Sequence, residues 1–344
     1  MTVRIGINGF GRIGRTVLRA LEARRTTSLE DLRVVAVNDL ADAATLAYLL
    51  RHDSVRGAFP APVETDGEHL TVDGRPVKVL RGPSPPELPW AELGVGVVVE
   101  ATGRFTAADA ARGHLAAGAR RVVVTGPSDG ADLTVVMGVN DDTYDGTQSL
   151  VSGACATTGC VAPMAKVLHE AFGLVSGFMT TVHAYTGDQH LLDAPHHDPR
   201  RARLAAANIV PTTTGAARAA TLALPALTGR LDGIALRVPV VDGSVIDLTA
   251  VLATPVTVPE VNDAFRRAAR AGLRGYLGYT EEPLVSADVV GSPASCTFDA
   301  GMTRQLGDHT VTIFGWYDNE WGYSHRIVDL VELVAATPPY AARS

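Results

Sequence analysis

Close to its N-terminus the chain reads Arg4-Ile5-Gly6-Ile7-Asn8-Gly9-Phe10-Gly11-Arg12-Ile13-Gly14. The first five residues predict a short buried strand, and the glycines that follow predict a tight turn. Apolar residues then recur at helical spacing, at Ile13, Val17, Leu18 and Leu21. A strand, a G-x-G-x-x-G turn and a helix in this order let a pyrophosphate approach the helix N-terminus. We therefore predict a dinucleotide-binding unit with contacts from Gly9, Phe10, Gly11, Arg12, Ile13 and Gly14.

A second apolar run, residues 32–37, ends in Asn38 and Asp39. In dinucleotide-binding units a carboxylate roughly 20 residues beyond the last glycine accepts hydrogen bonds from the adenosine ribose. Because such a carboxylate repels a 2′-phosphate, Asp39 predicts NAD rather than NADP as the cofactor. Thr102 and Gly103 follow another apolar run, where the carboxyl ends of parallel strands bind ligands, so they and Asn38 join the predicted cofactor site.

The order of the β-rich runs predicts the fold class. In the first part of the chain, such runs alternate with helical patterns, which is typical of a doubly wound, mainly parallel sheet. The later runs, at 177–185, 233–240, 244–253 and 309–317, are longer and indicate a largely antiparallel sheet. We predict an α/β chain with an N-terminal, doubly wound, NAD-binding Rossmann domain (1-155 and 320-344). An α+β catalytic domain with the largely antiparallel sheet would follow (156-319).

Composition limits the class of protein and its partners. The 344 residues, 46% hydrophobic and 19% charged, suffice for two domains with sizeable cores. The net charge of −7 argues against nucleic acid or an anionic membrane as main partner, and no apolar run reaches the roughly 18 residues of a membrane span. Three cysteines without a secretory signal fit a reducing cytoplasm, and they lack the Cys/His pairs of a zinc site. We expect a cytoplasmic protein without a metal, in which the adjacent His196 and His197 are solvated.

The predicted reaction centre is the stretch Val151-Ser152-Gly153-Ala154-Cys155-Ala156-Thr157-Thr158-Gly159-Cys160. It places a cysteine and two threonines before an apolar helical stripe formed by Val161, Met164, Leu168 and Phe172. The N-terminus of such a helix offers free backbone N–H groups, which favour an anion or a thiolate.

Several long motifs resemble the glyceraldehyde-3-phosphate dehydrogenase family, and together they span nearly the whole chain. They are Ile5 to Arg15, Val37 to Asp39, Thr180 to Gln189, Pro211 to Ala217, Arg237 to Pro239 and Trp316 to Ser324. The resemblance implies an NAD-dependent oxidoreductase that converts a small phosphorylated aldehyde into an acyl phosphate through a thioester, with inorganic phosphate as second substrate. It also implies a homotetramer, because residues 185–207 match the family's subunit-contact loop.

The resemblance assigns residues to the substrate. His183 matches the histidine that lowers the pKa of the catalytic thiol and then acts as general acid or base. One phosphate site would use Thr186, Asp188 and Arg237, because a planar guanidinium and hydroxyl donors suit a phosphate. Arg201 belongs to the basic cluster 200–203, for which phosphate binding, a subunit contact or a solvated face remain open.

The resemblance also assigns a second phosphate site and a nicotinamide contact. The second phosphate site would use Thr157, Thr214 and Gly215, and its serine position is taken here by Cys155, whose thiol is a weaker donor. Asn319 would hold the nicotinamide carboxamide, because an amide offers both a donor and an acceptor. Because Cys155 replaces that hydroxyl, the sequence supports a site for the cofactor more strongly than a site for inorganic phosphate.

The chain departs from the family at the nucleophile. The family segment reads Ser-Asn-Ala-Ser-Cys-Thr-Thr-Asn-Cys, so a gap-free alignment puts the catalytic cysteine on Ala156 and the preceding serine on Cys155. Both family asparagines are glycine here, at Gly153 and Gly159. Three interpretations are open: an engineered replacement at Ala156, a natural relocation of the nucleophile to Cys155, or loss of the thiol chemistry. Because attack needs reacting atoms within about 3.5 Å, a neighbouring cysteine cannot simply inherit the role.

Three hypotheses about function follow from this departure. The chain is an NAD-dependent glyceraldehyde-3-phosphate dehydrogenase, or that enzyme with its nucleophile replaced by alanine. Alternatively, it is a homologue repurposed in a specialised pathway, using Cys155 on another phosphorylated or acyl substrate. The third hypothesis is a non-catalytic NAD-binding protein.

Overall fold

The fold is described from a computed structural model, which describes residues 2–24 and 32–337. The contacts between residues divide the chain into two compact units. Unit 1 comprises the described residues of Met1–Val135, Asp141–Ala154 and Ser324–Ser344, and unit 2 comprises Val136–Asn140 and Cys155–Tyr323.

Unit 1 contains a nine-stranded sheet within the described ranges. Its strands are β1 (Val3–Asn8), β2 (Leu32–Asn38), β3 (Val63–Thr65), β4 (His69–Val72), β5 (Arg75–Leu80), β6 (Val97–Glu100), β7 (Arg121–Val124), β8 (Leu133–Thr134) and β9 (Leu150–Ser152). The strand order is β3-β4-β5-β2-β1-β6-β7-β9-β8, and the pairs from β5 to β8 are parallel. The helices are α1 (Arg12–Arg24), α2 (Ala43–Arg51), α3 (Ala108–Ala111) and α4 (Gly113–Ala116). The predicted doubly wound Rossmann unit is confirmed.

Unit 2 contains a seven-stranded sheet and its helices. The elements, in chain order, are α5 (Ala156–Phe172), β10 (Leu174–Ala184), β11 (Val210–Thr213), α6 (Ala216–Ala223), β12 (Leu231–Val238), β13 (Ser244–Leu252), α7 (Val258–Arg270), β14 (Leu277–Thr280), α8 (Ser286–Val289), β15 (Cys296–Leu306) and β16 (Thr310–Tyr317). The strand order is β11-β12-β10-β13-β16-β15-β14, in which only the β10–β12 and β14–β15 pairs are parallel. The largely antiparallel sheet is thus confirmed. The last described helix, α9 (Trp321–Ala336), begins in unit 2, and its residues from Ser324 onward belong to unit 1.

Helix α5 is positioned by a glycine in the sheet beneath it. A side chain at Gly315 on β16 would bring its Cβ to 2.5 Å from Met164 Sδ and 2.7 Å from Cys296 Sγ. Glycine therefore allows the helix and the strand to approach closely, since a methyl group would overlap both sulfur atoms. Helix α5 and strand β16 are also in contact at the helix N-terminus, where the hydroxyls of Thr157 and Tyr317 are 2.9 Å apart.

Candidate active site

The glycine turn between β1 and α1 presents bare backbone to a cleft of about 210 Å³ in unit 1. Gly9 has a φ of 91°, and a Cβ on it would lie 2.6 Å from the backbone nitrogen of Thr102. A Cβ on Gly14 would overlap the carbonyl oxygen of Gly9. Gly11 lines the cleft and has no atom within 4 Å of the place where its Cβ would be. These residues fit a pyrophosphate, because the group can reach backbone N–H groups at the N-terminus of α1.

The remaining lining of the cleft includes most of the other predicted cofactor residues. It consists of Asn8, Asn38, Asp39, Leu40, Gly82, Pro83, Ala101, Thr102, Arg104 and Phe105. Asp39 follows β2, and its carboxylate accepts from the backbone N–H groups of Phe10 (2.9 Å) and Ala41 (3.1 Å). The carboxylate is therefore fixed at the strand end, where the family's ribose contact is expected. Gly103 adopts a φ of 69° in the loop after β6, and Arg12 pairs with Asp53 at 2.6 Å.

Replacing Asp39 by alanine is expected to reduce the preference for NAD over NADP roughly tenfold or more, because the repulsion of a 2′-phosphate is removed. Isothermal titration calorimetry with both cofactors measures the ratio of the dissociation constants. Asp66→Ala, which removes an exposed carboxylate from the turn between β3 and β4, is the matched control and should leave the ratio unchanged. Equal preference in the parent chain and in Asp39→Ala would contradict the assignment.

A buried network beneath the cleft was not predicted from the sequence. The Glu100 carboxyl group accepts from the side chain of Asn8 (2.6 Å) and from the backbone of Thr102 (2.8 Å), and it lies 2.9 Å from His114 Nε2. Trp90 Nε1 donates to His114 Nδ1 (2.9 Å), so the ring proton lies on Nε2 and is donated to Glu100. The network therefore fixes two cleft residues. The only sequence signal for it was an acidic residue at the end of an apolar strand.

In unit 2, Cys155 precedes α5 as its N-cap, and Ala156 is the first helical residue. The thiol is half-buried, and its sulfur lies 3.2 Å from Thr158 Oγ1. Ala154, just before it, is one of two non-glycine residues with positive φ (53°) in the described ranges, which is a strained backbone conformation. This free thiol at the N-terminus of the helix is thus held against the helix itself.

His183, on β10, is the predicted acid or base. Its Nδ1 lies 2.6 Å from the carbonyl oxygen of Ala184, which can only accept, so Nδ1 carries the proton and Nε2 the lone pair. Burial and the nearby charge of Arg237 lower the pKa of His183 to about 3. Within residues 2–24 and 32–337, the imidazole forms no hydrogen bond with Cys155 or another cysteine. The site therefore holds a neutral base that is not paired with a thiol.

The lowered pKa of His183 predicts an unusual pH profile. The ring stays neutral in the folded free enzyme well below its ordinary pKa of 6.5, so kcat/KM for aldehyde oxidation should show no acid limb between about pH 5 and about pH 8. The same shift lowers the free energy of unfolding as the pH falls below 6.5, because the unfolded chain takes up the proton that the folded chain resists. Steady-state kinetics across this pH range measure kcat/KM. A fall in kcat/KM on the acid side with a midpoint near pH 6.5 would contradict the assignment.

Two arginines, Arg201 and Arg237, lie near this histidine and share the surroundings of Thr186 and Asp188. Arg237 Nη1 donates to Thr186 Oγ1 (2.9 Å), and Arg201 Nη1 pairs with Asp188 Oδ2 (2.8 Å). Thr186 also donates to Asp188. Burial alone would raise the pKa of Asp188, but this hydroxyl and the two guanidinium groups lower it. One carboxylate faces two guanidiniums, and the buried Nε of Arg237 has no hydrogen-bond partner in the described part of the chain, so the charge of the site fits a phosphate.

In the second predicted phosphate site, one hydroxyl is engaged by a neighbouring side chain, while that of Thr214 acts as an acceptor and keeps its own proton to donate. The hydroxyl of Thr157 is buried against that of Tyr317, and Thr214 Oγ1 accepts from the backbone N–H of Ala216 at 3.2 Å. Gly215 is the N-cap of α6 and would have open space at its Cβ. Thr158 Oγ1 donates to the carbonyl of Ala216 (3.4 Å), so the N-termini of α5 and α6 do lie together.

Asn319, the predicted nicotinamide contact, is buried in unit 2. Its Oδ1 accepts from Ser244 Oγ at 2.8 Å, and its amide nitrogen has no partner among the described residues. The amide is therefore oriented with its donor available. In the described part of the chain, no three His, Cys, Asp or Glu side chains form a group that could hold a metal ion, and His196 and His197 stack with ring centroids 4.1 Å apart. No helix described here is long and apolar enough to traverse a bilayer.

Comparison with known proteins identifies the family. Residues 3–108 match the family model for the glyceraldehyde 3-phosphate dehydrogenase NAD binding domain, and residues 154–319 match that for its C-terminal domain. Glyceraldehyde-3-phosphate dehydrogenase 2 of Streptomyces avermitilis is 53% identical over 335 residues, which cover 97% of this chain and 99% of that protein. The glyceraldehyde-3-phosphate dehydrogenases of Mycobacterium avium and Streptomyces coelicolor are each 54% identical, with the same coverage. With a cofactor cleft that fits NAD, the chain belongs to the NAD-dependent glyceraldehyde-3-phosphate dehydrogenase family.

Proposed function

We propose that this chain oxidises glyceraldehyde 3-phosphate, or a close phosphorylated aldehyde, with NAD. The observation that carries the proposal is the pair of guanidinium groups, Arg201 and Arg237, beside the neutral His183. The aldehyde's phosphate would bind the guanidinium of Arg237, whose Nε has no partner among the described residues, and the hydroxyl of Thr186 would turn from Asp188 to donate to it. His183 would then accept a proton through Nε2, the ring nitrogen that carries the lone pair.

The cofactor residues have separate roles in this proposal. The turn from Gly9 to Gly14 would hold the pyrophosphate, and Asp39 would hold the adenosine ribose. Asn319, oriented by Ser244, would donate to the nicotinamide carboxamide. When bound, NAD supplies the acceptor for the hydride.

The nucleophile is the open part of the function. Ala156 cannot form a thioester, so in our proposal the thiol route is lost and the activity is low. A second candidate keeps the thiol route with Cys155 as the nucleophile. It is favoured by one observation, the half-buried free thiol at the N-terminus of α5, where N–H groups stabilise a thiolate.

Steady-state formation of NADH separates these candidates. The proposal expects saturable oxidation of glyceraldehyde 3-phosphate that persists in Cys155→Ser, together with NAD binding by calorimetry. Loss of activity in Cys155→Ser would favour the relocated thiol or a repurposed homologue. NAD binding without any aldehyde oxidation would favour a non-catalytic protein and overturn the proposal.

We also propose a homotetramer in the cytoplasm, and the domain limits 1-155 with 320-344 and 156-319. Residues 185–207 carry exposed apolar side chains, with Leu191 81% and Leu192 71% exposed, which suits a subunit contact. Cys155, Cys160 and Cys296 are all free thiols, which suits a reducing compartment. Light scattering coupled to size-exclusion chromatography should give about four times the 36.0 kDa of one chain. A monomeric mass would overturn the tetramer.

A further inference from the structure

We propose that the second reactant in this chain is water rather than inorganic phosphate, so that the hydrate of the aldehyde is oxidised directly to a free carboxylate with His183 as the base. The inference rests on the proposed aldehyde oxidation and names its second reactant and its product. It is carried by two features of unit 2: a base that has no thiol partner among the described residues, and a second phosphate site in which Tyr317 engages one hydroxyl and a thiol stands where the family has another.

The first feature is the state of the imidazole. Its Nδ1 proton is donated to the carbonyl of Ala184, so Nε2 is available to accept a proton. The cysteine that would form a thioester in the family is Ala156, and Cys155 is hydrogen-bonded to Thr158 instead of to the ring. Without a thiol, the imidazole can accept a proton from water or from a hydroxyl of the hydrated aldehyde.

The second feature is the contrast between the two phosphate sites. Tyr317 OH contacts the hydroxyls of both Thr157 (2.9 Å) and Thr181 (2.8 Å), and Thr157 is only 5% exposed. The thiol of Cys155 replaces the serine hydroxyl expected there and is a weak donor. Arg237, by contrast, has a buried Nε without a hydrogen-bond partner among the described residues. The site of Arg237 is therefore better suited to a phosphate than the weakened second site, and we assign it to the phosphate of the aldehyde.

The reaction balances without a further co-reactant. Water adds to the aldehyde carbon to give a geminal diol. One hydroxyl proton then passes to His183 Nε2, the C1–H bond breaks with its electron pair going to NAD as hydride, and the deprotonated oxygen forms the carbonyl while the second hydroxyl remains as that of the acid. The products are a carboxylic acid, NADH and a proton, whereas the family route would give an acyl phosphate.

The aldehyde's own phosphate assists this base. In the free enzyme, burial and the charge of Arg237 lower the pKa of the ring, so it is a weak base there. A phosphate bound at Arg237 and Arg201 would offset that positive charge and make the imidazole more basic in the complex. The acid limb of kcat, which reports the complex, should therefore lie at higher pH than that of kcat/KM, which reports the free enzyme.

The test follows the product as well as the rate. In a buffer without phosphate, the chain is mixed with NAD and glyceraldehyde 3-phosphate, NADH is followed by absorbance, and the product is identified by ³¹P NMR. We expect NADH without added phosphate, a change of less than about twofold on adding it, and 3-phosphoglycerate as the product. His183→Asn should slow the reaction about 100-fold, while His69→Asn, which replaces a partly exposed histidine on β4, should not.

The other outcomes distinguish a failure of this inference from a failure of the proposed function. Dependence on phosphate, an acyl phosphate in the NMR spectrum, or loss of the phosphate-independent rate in Cys155→Ser would overturn the inference while leaving aldehyde oxidation in place. An absence of NADH with or without phosphate, when calorimetry shows that NAD binds, would instead refute the proposed function.

Discussion

Replacing Ala156 by cysteine is expected to raise the phosphate-dependent reduction of NAD by glyceraldehyde 3-phosphate at least about 100-fold. The position is the first residue of α5, beside the helix N-terminus that stabilises a thiolate. The neutral imidazole of His183 is not paired with another thiol and can activate the introduced one. The rate of the variant should remain below that of a family member with both the serine and the cysteine, because Cys155 stands where the family has the serine hydroxyl.

The measurement is the initial rate of NADH formation with and without phosphate. Glu170→Cys introduces a thiol on the exposed face of the same helix and serves as the control, which should match the parent chain. If Ala156→Cys gains nothing, or loses activity that the parent chain has, then the geometry at position 156 is not the family's and the relocated thiol at Cys155 becomes the better account.

Replacing Arg237 by methionine is expected to lower kcat/KM for glyceraldehyde 3-phosphate by about 100-fold to 1000-fold. The guanidinium donates to Thr186, and its buried Nε has no partner among the described residues, which is why we propose the aldehyde's phosphate as its ligand. Methionine keeps the apolar stem but removes the charge and every donor.

Glyceraldehyde without its phosphate is the internal control, because it cannot use Arg237 as a phosphate ligand. Its kcat/KM should change less than about threefold, since this substrate lacks the charge-assisted hydrogen bonds. Arg230→Met, which removes an exposed arginine before β12, is the matched variant and should leave both substrates unaffected. Equal losses for both aldehydes would show that Arg237 acts through the fold, or through His183, instead of through the phosphate.

Features of the fold that are local in sequence could be predicted. Strand β1, the glycine turn and α1 follow from a contiguous pattern, and the long strands of unit 2 follow from their β-rich composition. Residues 107–117 have a helical pattern, but they form two short helices, α3 and α4, and not one continuous helix. A Cβ at Gly113 would lie 2.9 Å from Pro86 Cδ, so tertiary packing against a distant segment shapes this region. The short strands β3 and β14 carry too few residues for a clear periodicity.

The same distinction applies to the site. Asp39 and the glycines could be placed because their spacing carries the chemistry. The state of His183 could not, because it depends on burial and on Arg237, which lies 54 residues further along the chain. The buried contacts of Glu100 with Asn8 and His114 join segments that no sequence spacing connects. That Cys155 is bonded to Thr158 and not to His183 likewise required coordinates.

The central claim, oxidation of the aldehyde without a covalent thioester, is tested most directly by mass spectrometry of the acid-quenched protein. The parent chain and Ala156→Cys are mixed with NAD and glyceraldehyde 3-phosphate in a buffer without phosphate, quenched during turnover, and mapped by peptide. The account predicts no acyl adduct on the parent chain while NADH accumulates, and an adduct on the introduced cysteine of the variant. A phosphoglyceroyl adduct mapped to Cys155 of the parent chain would contradict it.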